Sequence, residues 1–507
     1  MIGEKRSKIN YIFIDFLAIY FSVFLFYIIF VSKFYNFDGV ACAIAVEMGD
    51  LKNLFHGNHL LYGFLGFLFD RAIRLLGYDG TTLTSLQLFN ITLSALSCSI
   101  FYIILYEFTR QRIISLLVSF LTAFSFGYWF WASEAQVYPL AYIPMLLITL
   151  FGIRFEITKR FNTVCFLFLM ALLGHIIHIL FLPVLFFFIL EESAYNKKTA
   201  VLKMINFGKY VFAGLFISYL IVIVTVIKPQ SFNDFRIWLL GSAVLTPDKH
   251  FAWHGGFSAS NILTLIKTNC TLFLPVFYEK INILPKLRSG FSFLIYASGF
   301  IFLVLILNFF YGIKRIWKEY RSIVLLCLVW LMPYLVLFVT WEPGTLVYSL
   351  TNIFPLWMLL MLSVISLRLK KQFKILFLIV FLGIFLLSNI LNAMQGLADK
   401  NNNRVLMEAD IIKKHTSQNS VVLVASGFYK LYLPYFADRH PFYVNWIEKD
   451  KTESLKSINN MLKDGRDIYI LPEVLEVDYA RKFIDKYFAI EKVILEKSLS
   501  LYKIKRN

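Results

Sequence analysis

Charge is what this sequence has least of. Only 16% of its 507 residues are Asp, Glu, Lys or Arg, against about 25% in soluble domains. With 59% hydrophobic residues beside it, that shortage excludes both intrinsic disorder and an ordinary soluble protein. Cysteine is scarce as well. Cys42, Cys98, Cys165, Cys270 and Cys327 lie far apart with no CxxC, which excludes a disulfide scaffold and a zinc ribbon. The net charge of +18 would suit nucleic acid, but its distribution argues against that partner.

What the chain has in quantity is aromatic and aliphatic bulk, including 54 Phe and 28 Tyr. Residues 1–395 hold 31 Lys and Arg and 17 Asp and Glu, so 12% are charged; residues 396–507 hold 19 and 15, or 30%. This contrast predicts a membrane domain over 1–395 and a soluble domain over 396–507. A spanning helix needs about 20 apolar residues. Candidate spans are 11–31, 84–107, 112–131, 135–153, 210–227, 291–312, 322–341, 350–367 and 374–393. The first follows Lys5, Arg6 and Lys8 and is too long for a signal peptide, so it reads as a retained anchor.

Basic residues gather in short cytoplasmic loops. Placing every basic cluster inside requires residues 161–190 to cross twice, as two short helices meeting near Gly174–His178. The total becomes about eleven spans, with the N-terminus cytoplasmic and the C-terminal domain outside. Two large outer loops result, 32–83 and 228–290. The apolar stretch 261–278 in the second loop reads as an interfacial or re-entrant helix. Most of the +18 is thus topological, since +14 belongs to residues 1–395.

The tail alternates short strand-like runs (420–425, 441–446, 467–471, 488–494, 498–504) with helical periodicity at 427–437, 452–463 and 475–487. A small α/β domain with a mainly parallel sheet is expected. It has no GxGxxG and no P-loop, so nothing in it signals a nucleotide.

Ionisable groups at membrane depth are costly and mark function. Asp38 follows the first span; it is either the cap of a helix starting at Gly39 or a catalytic carboxylate. Glu134 sits in an outward turn flanked by Trp129, Trp131 and Tyr138, which are alternatively an interfacial belt. Glu47, Asp50 and His56 form a weak set of metal-ligand candidates, with His59 nearby; a solvated polar face is the plainer reading. His175 and His178, i and i+3 in an apolar run, suit a phosphate, a metal or helix-packing hydrogen bonds. Arg236, Lys249 and Arg288 place positive charge in the second outer loop, where an anionic lipid phosphate is the expected partner.

This arrangement resembles the GT-C class of integral-membrane glycosyltransferases, in its protein O-mannosyltransferase-like branch. Asp38 matches the class's first-loop carboxylate. His59-Leu-Leu-Tyr62-Gly-Phe-Leu-Gly66 is similar to H-P-P-x-Y-P-L-x-x-x-x-G without its prolines. Glu134-Ala-Gln-Val-Tyr138 is similar to E-V-Y-x-L, and Trp341-Glu342-Pro343-Gly344 resembles a late outward turn. The resemblance implies a sugar moved from a polyprenyl-phosphate donor to a hydroxyl on a glycan, lipid or protein, with inversion. Asp38 would be the base, and Glu134 its helper. His59, Tyr138, His175, His178, Arg236, Lys249, Arg288, Trp341 and Glu342 would bind substrate. A divalent metal stays open, because metal dependence varies within the class. The implied location is a bacterial inner or plasma membrane. Two rivals stand beside it: a transporter or flippase of lipid-linked saccharides, and a polysaccharide polymerase or ligase. The first lacks its usual internal repeats here, and the second its large late loop.

Overall fold

The computed structural model describes residues 2–193, 196–240, 256–277, 292–496 and 499–505. It forms two compact units, one of residues 1–32 and 45–398, the other of residues 33–44 and 399–507. The expected cut at 395 thus falls at 398, and a short piece of the first outer loop joins the tail.

In chain order the larger unit contains α1 (Ile2–Ile29), the end of α2 (Phe37–Met48), α3 (Tyr62–Leu75), α4 (Thr82–Thr109), α5 (Arg112–Ala123) and α6 (Phe126–Ala132). Next come α7 (Pro139–Ile153), α8 (Phe161–Gly174), α9 (Leu182–Glu192), α10 (Lys197–Val222) and α11 (Phe232–Leu240). The unit closes with α12 (Ala259–Thr271), α13 (Ser292–Tyr311), α14 (Ile313–Thr340), α15 (Ile353–Ser366) and α16 (Lys371–Asn389). Among the described residues seven helices are long and apolar enough to cross a bilayer, or eight if α5 and α6 form one bent span. The chain is an integral membrane protein; seven or eight helices among the described residues do not confirm the expected count of about eleven spans, two of them short. Helices α7, α8 and α9 have 15, 14 and 11 residues, short of the roughly 20 that a hydrocarbon core requires.

Two breaks organise this unit. The expected span 112–131 bends by 63° between α5 and α6. Its freed backbone is satisfied from afar. Asn389 Nδ2 donates to the carbonyls of Phe124 (2.8 Å) and Phe273 (3.0 Å), and Phe126 N–H donates to Phe273 O at 3.1 Å. Irregular backbone at membrane depth survives only where protein groups pair with it, and here they do. Phe273 follows α12, whose 13 residues span only about 20 Å at 1.5 Å each. The stretch 261–278, expected as an interfacial or re-entrant helix, thus carries a helix too short to cross a bilayer. The second break is the expected one after Gly174. His175 leaves helical geometry, its Nδ1 accepts Ile177 N–H, and two 3₁₀ turns (Ile176–Phe181) lead to α9, with Pro183 in its first turn. Inside α1, the Asp15 carboxylate is paired with a bidentate Arg112 (2.6 and 2.7 Å) and accepts a hydrogen bond from Tyr102 OH at 2.6 Å.

In the smaller unit α17 (Arg404–His415) precedes a five-stranded sheet of order β2-β1-β3-β5-β4. The strands are β1 (Val421–Val424), β2 (His440–Tyr443), β3 (Ile468–Ile470), β4 (Ala489–Glu496) and β5 (Leu499–Lys505). Helix α18 (Lys451–Lys463) precedes β3 and α19 (Asp478–Tyr487) follows it. Strand β1 pairs in parallel with β2 and β3, whereas β5 pairs antiparallel with both β3 and β4. The sheet is therefore mixed rather than mainly parallel, because β4 and β5 are adjacent in sequence and close as a hairpin. Residues 33–36 belong here: Asn403 Nδ2 donates to the carbonyls of Lys33 and Phe34, and Tyr432 OH to those of Phe34 and Tyr35.

Candidate active site

In the membrane unit the site is built on the break after Gly174. Leu61 N–H donates to Leu173 O (3.0 Å) and Ile176 N–H to Asn58 O (2.9 Å), which straps loop 55–61 onto it. Leu60 and Leu61 stand where the class has its proline pair, and a proline at 61 would have no N–H to give. The strap sets the histidines in a column. His56 and His59 stack with ring centres 4.2 Å apart, His59 lies 6.2 Å from His175, and His175 lies 6.1 Å from His178. Fully buried His178 meets Tyr334 OH through Nδ1 at 3.1 Å. Among the described residues neither His59 Nδ1 nor His178 Nε2, both buried, has a hydrogen-bond partner. Burial lowers the pKa of His56 below the usual 6.5 and that of His59 well below it; for His59 the neighbouring His56 and His175 add to the effect. Both therefore act as neutral hydrogen-bonding groups, not as cations.

An aromatic run extends the column. Tyr138 stacks on His175 at 5.0 Å and meets Tyr348 edge-on at 6.1 Å; Trp341 stacks on Tyr348 at 4.9 Å. Glu342 turns to Thr345, whose hydroxyl donates to its carboxylate at 2.7 Å. Of the expected substrate-binding residues, His59, Tyr138, His175, His178 and Trp341 are thus brought into one continuous group.

Glu134 is fully buried in the non-helical turn between α6 and α7. Two side chains of α4 hold that turn. Gln87 Nε2 donates to Ser133 O (2.8 Å), and Asn90 Nδ2 donates to Glu134 O and Gln136 O (2.7 Å each). The belt alternative fails for Trp129, which is also fully buried and stacks on Tyr27 at 5.8 Å.

Asp38 falls in the smaller unit, exposed in the first turn of α2. It does not cap that helix. Asn36 does, its Oδ1 accepting the N–H groups of Asp38 (2.7 Å) and Gly39 (3.3 Å).

Glu47, Asp50 and His56 do not form a donor set: Asp50 caps a one-turn helix by accepting Lys52 N–H (3.1 Å) and binds Asn53 Nδ2 (3.2 Å). Among the described residues no three His, Cys, Asp or Glu side chains are gathered as a metal site. Arg236 is exposed on α11 and bonds Asn233 (3.0 Å). Lys249 and Arg288 lie outside the described residues. Sequence reasoning passed over Asn36, Gln87, Asn90, Tyr334 and Tyr348. A signal existed for the α4 pair, since two amides three residues apart in an apolar span share one face.

The whole chain resembles a solved membrane protein. The structure of ArnT from Cupriavidus metallidurans bound to undecaprenyl phosphate superposes with a TM-score of 0.57, covering 96% of this chain and 97% of that one at 11% identity. The apo structure of the same protein gives 0.56 over 98% of each chain at 12% identity. The chain has the GT-C fold. No protein-family model and no curated protein matches the sequence. At this identity the likeness establishes the fold, and the chemistry rests on the residues.

Proposed function

We propose that this chain is a membrane glycosyltransferase that moves a sugar from a polyprenyl-phosphate donor to an acceptor hydroxyl at the outer membrane face. The observation that carries the reading is the near full-length likeness to a structure holding undecaprenyl phosphate. In the proposed step the acceptor oxygen attacks the anomeric carbon while Asp38 takes its proton. The carbon–oxygen bond to phosphate breaks, polyprenyl phosphate leaves with the electron pair, and configuration inverts. Asp38 suits the role because it is an exposed carboxylate in the first turn of α2. Glu134 orients the acceptor from its pinned turn. His59 and His178 donate hydrogen bonds toward donor phosphate or sugar oxygens, which their two unpaired nitrogens favour.

A lipid tail also needs an apolar berth. A cavity of about 980 Å³ among α12, α13, α14 and α15 is lined by side chains such as Leu265, Phe273, Phe300, Leu303, Leu335 and Leu356. We assign it to the polyprenyl chain. The test is a screen of radiolabelled polyprenyl-phosphate sugars with the purified protein in proteoliposomes, using membrane extract as acceptor. Label should move from the lipid phase to an acceptor for at least one donor. Failure with every donor, by protein shown to be folded, would overturn the proposal.

A further inference from the structure

The smaller unit has a polar cleft of about 440 Å³, within the usual range for small-molecule sites. It opens beyond the C-terminal ends of β1 and β3, with Ser426 and Tyr429 following β1 and Leu471, Glu473 and Glu476 following β3. The order β2-β1-β3 means the chain leaves β1 toward one side and returns on the other. Such a reversal separates the loops beyond the strands, and open α/β sheets bind ligands in that crevice.

The cleft's groups say what kind of ligand fits. At most reversal points the free N–H groups after the first strand suit an anion. Here they are taken, since Glu473 Oε1 accepts Ala425 N–H (3.1 Å) and Ser426 N–H (3.0 Å). A phosphate would have to displace a carboxylate of this chain. Three carboxylates, Glu408, Glu473 and Glu476, face one guanidinium, Arg404, which pairs with Glu408 at 2.7 Å. Buried Glu408 also accepts from Tyr429 OH. The serine hydroxyls of Ser426 and Ser500 complete a surface with more acceptors than donors. A ligand rich in hydroxyl donors, neutral or carrying a protonated amine, complements it.

We infer that this cleft binds a non-anionic saccharide, and an amine-bearing one most tightly. Its use as a subsite for a glycan acceptor rests on the transferase reading; the binding itself does not.

The test is titration of the full-length protein in nanodiscs with glucosamine, glucose and glucose 6-phosphate, followed by saturation-transfer NMR without any lipid-linked donor. Glucosamine should bind more tightly than glucose, and glucose 6-phosphate at least tenfold more weakly than glucose. Glu473→Gln keeps the acceptor for both N–H groups but removes the charge, so it should weaken glucosamine binding about tenfold, as losing one charged hydrogen bond does. Ser500→Trp should fill the cleft and abolish binding of both sugars. Binding of none of the sugars, phosphate-tolerant binding, or binding unchanged in both variants would each overturn the inference. Because no donor is present, those results leave the transferase proposal standing, and a failed donor screen leaves this one standing.

Discussion

Replacing Asn90 with alanine tests how the turn bearing Glu134 is held. The side chain gives two hydrogen bonds of 2.7 Å, to the carbonyls of Glu134 and Gln136, both on buried residues. Alanine removes the donor and leaves those acceptors in a buried setting, at about 1–3 kcal/mol for each unsatisfied group. The expected loss is thus about 2–6 kcal/mol, the lower end applying where water reaches the turn. Asn90→Asp is the discriminating control. It keeps the size but sets a carboxylate oxygen against two carbonyl oxygens, a buried repulsion that alanine lacks, so at neutral pH it should be worse than alanine. Thermal unfolding in detergent, followed by tryptophan fluorescence, should rank wild type above Asn90→Ala and that above Asn90→Asp. Sugar transfer should fall in both variants because Glu134 loses its backbone tether. An alanine variant as stable as wild type, or an aspartate variant more stable than alanine, would refute the argument.

Three further outcomes are expected. Burial favours neutral His56 and His59, so the unfolded chain binds more protons just below pH 6.5; stability should be complete above that value and fall on acidification, by up to about 1.4 kcal/mol per pH unit for each histidine. Urea titrations from pH 7.5 to 5.5 check this, and stability that rose on acidification would contradict it. Gly57→Ala would bring a Cβ within 2.6 Å of Trp238 O and 2.8 Å of Leu239 O, both backbone, so it should destabilise the strap by about 1–3 kcal/mol and lower transfer activity. Asn36→Ala should cost about 1 kcal/mol by uncapping α2, and should reduce turnover more than donor binding because Asp38 sits in the turn it frees.

Local patterns in the sequence read true where local chemistry decides. The break after Gly174 was legible because residues 161–190, between two basic loops, are too many for one span and few for two. The five strands of the tail were legible from their β-branched runs. The bend at Phe124 was not, because 112–131 is continuously apolar and its partners, Asn389 and Phe273, lie far along the chain. Sheet direction was not legible either, since the β4–β5 pairing depends on a hairpin that alternation alone does not reveal. At the site, the histidine spacing was visible, but the column required the strap between Leu61 and Leu173, a backbone contact that no side-chain pattern announces. Asp38 remained ambiguous in sequence because Asn36, two residues earlier, competes for the same capping role. The position of Asp50 as a helix cap, rather than in a donor set with Glu47 and His56, was not legible either, because it depends on a one-turn helix starting at Leu51.

The central claim is that Asp38 is the base of a sugar transfer from polyprenyl phosphate. Asp38→Asn keeps the size and exposed position and removes only the basicity. With the active donor identified, single-turnover transfer by this variant should be slower by about a hundredfold to ten-thousandfold, as for loss of a general base, with donor binding unchanged. Transfer at the wild-type rate by a folded, donor-saturated Asp38→Asn protein would contradict it.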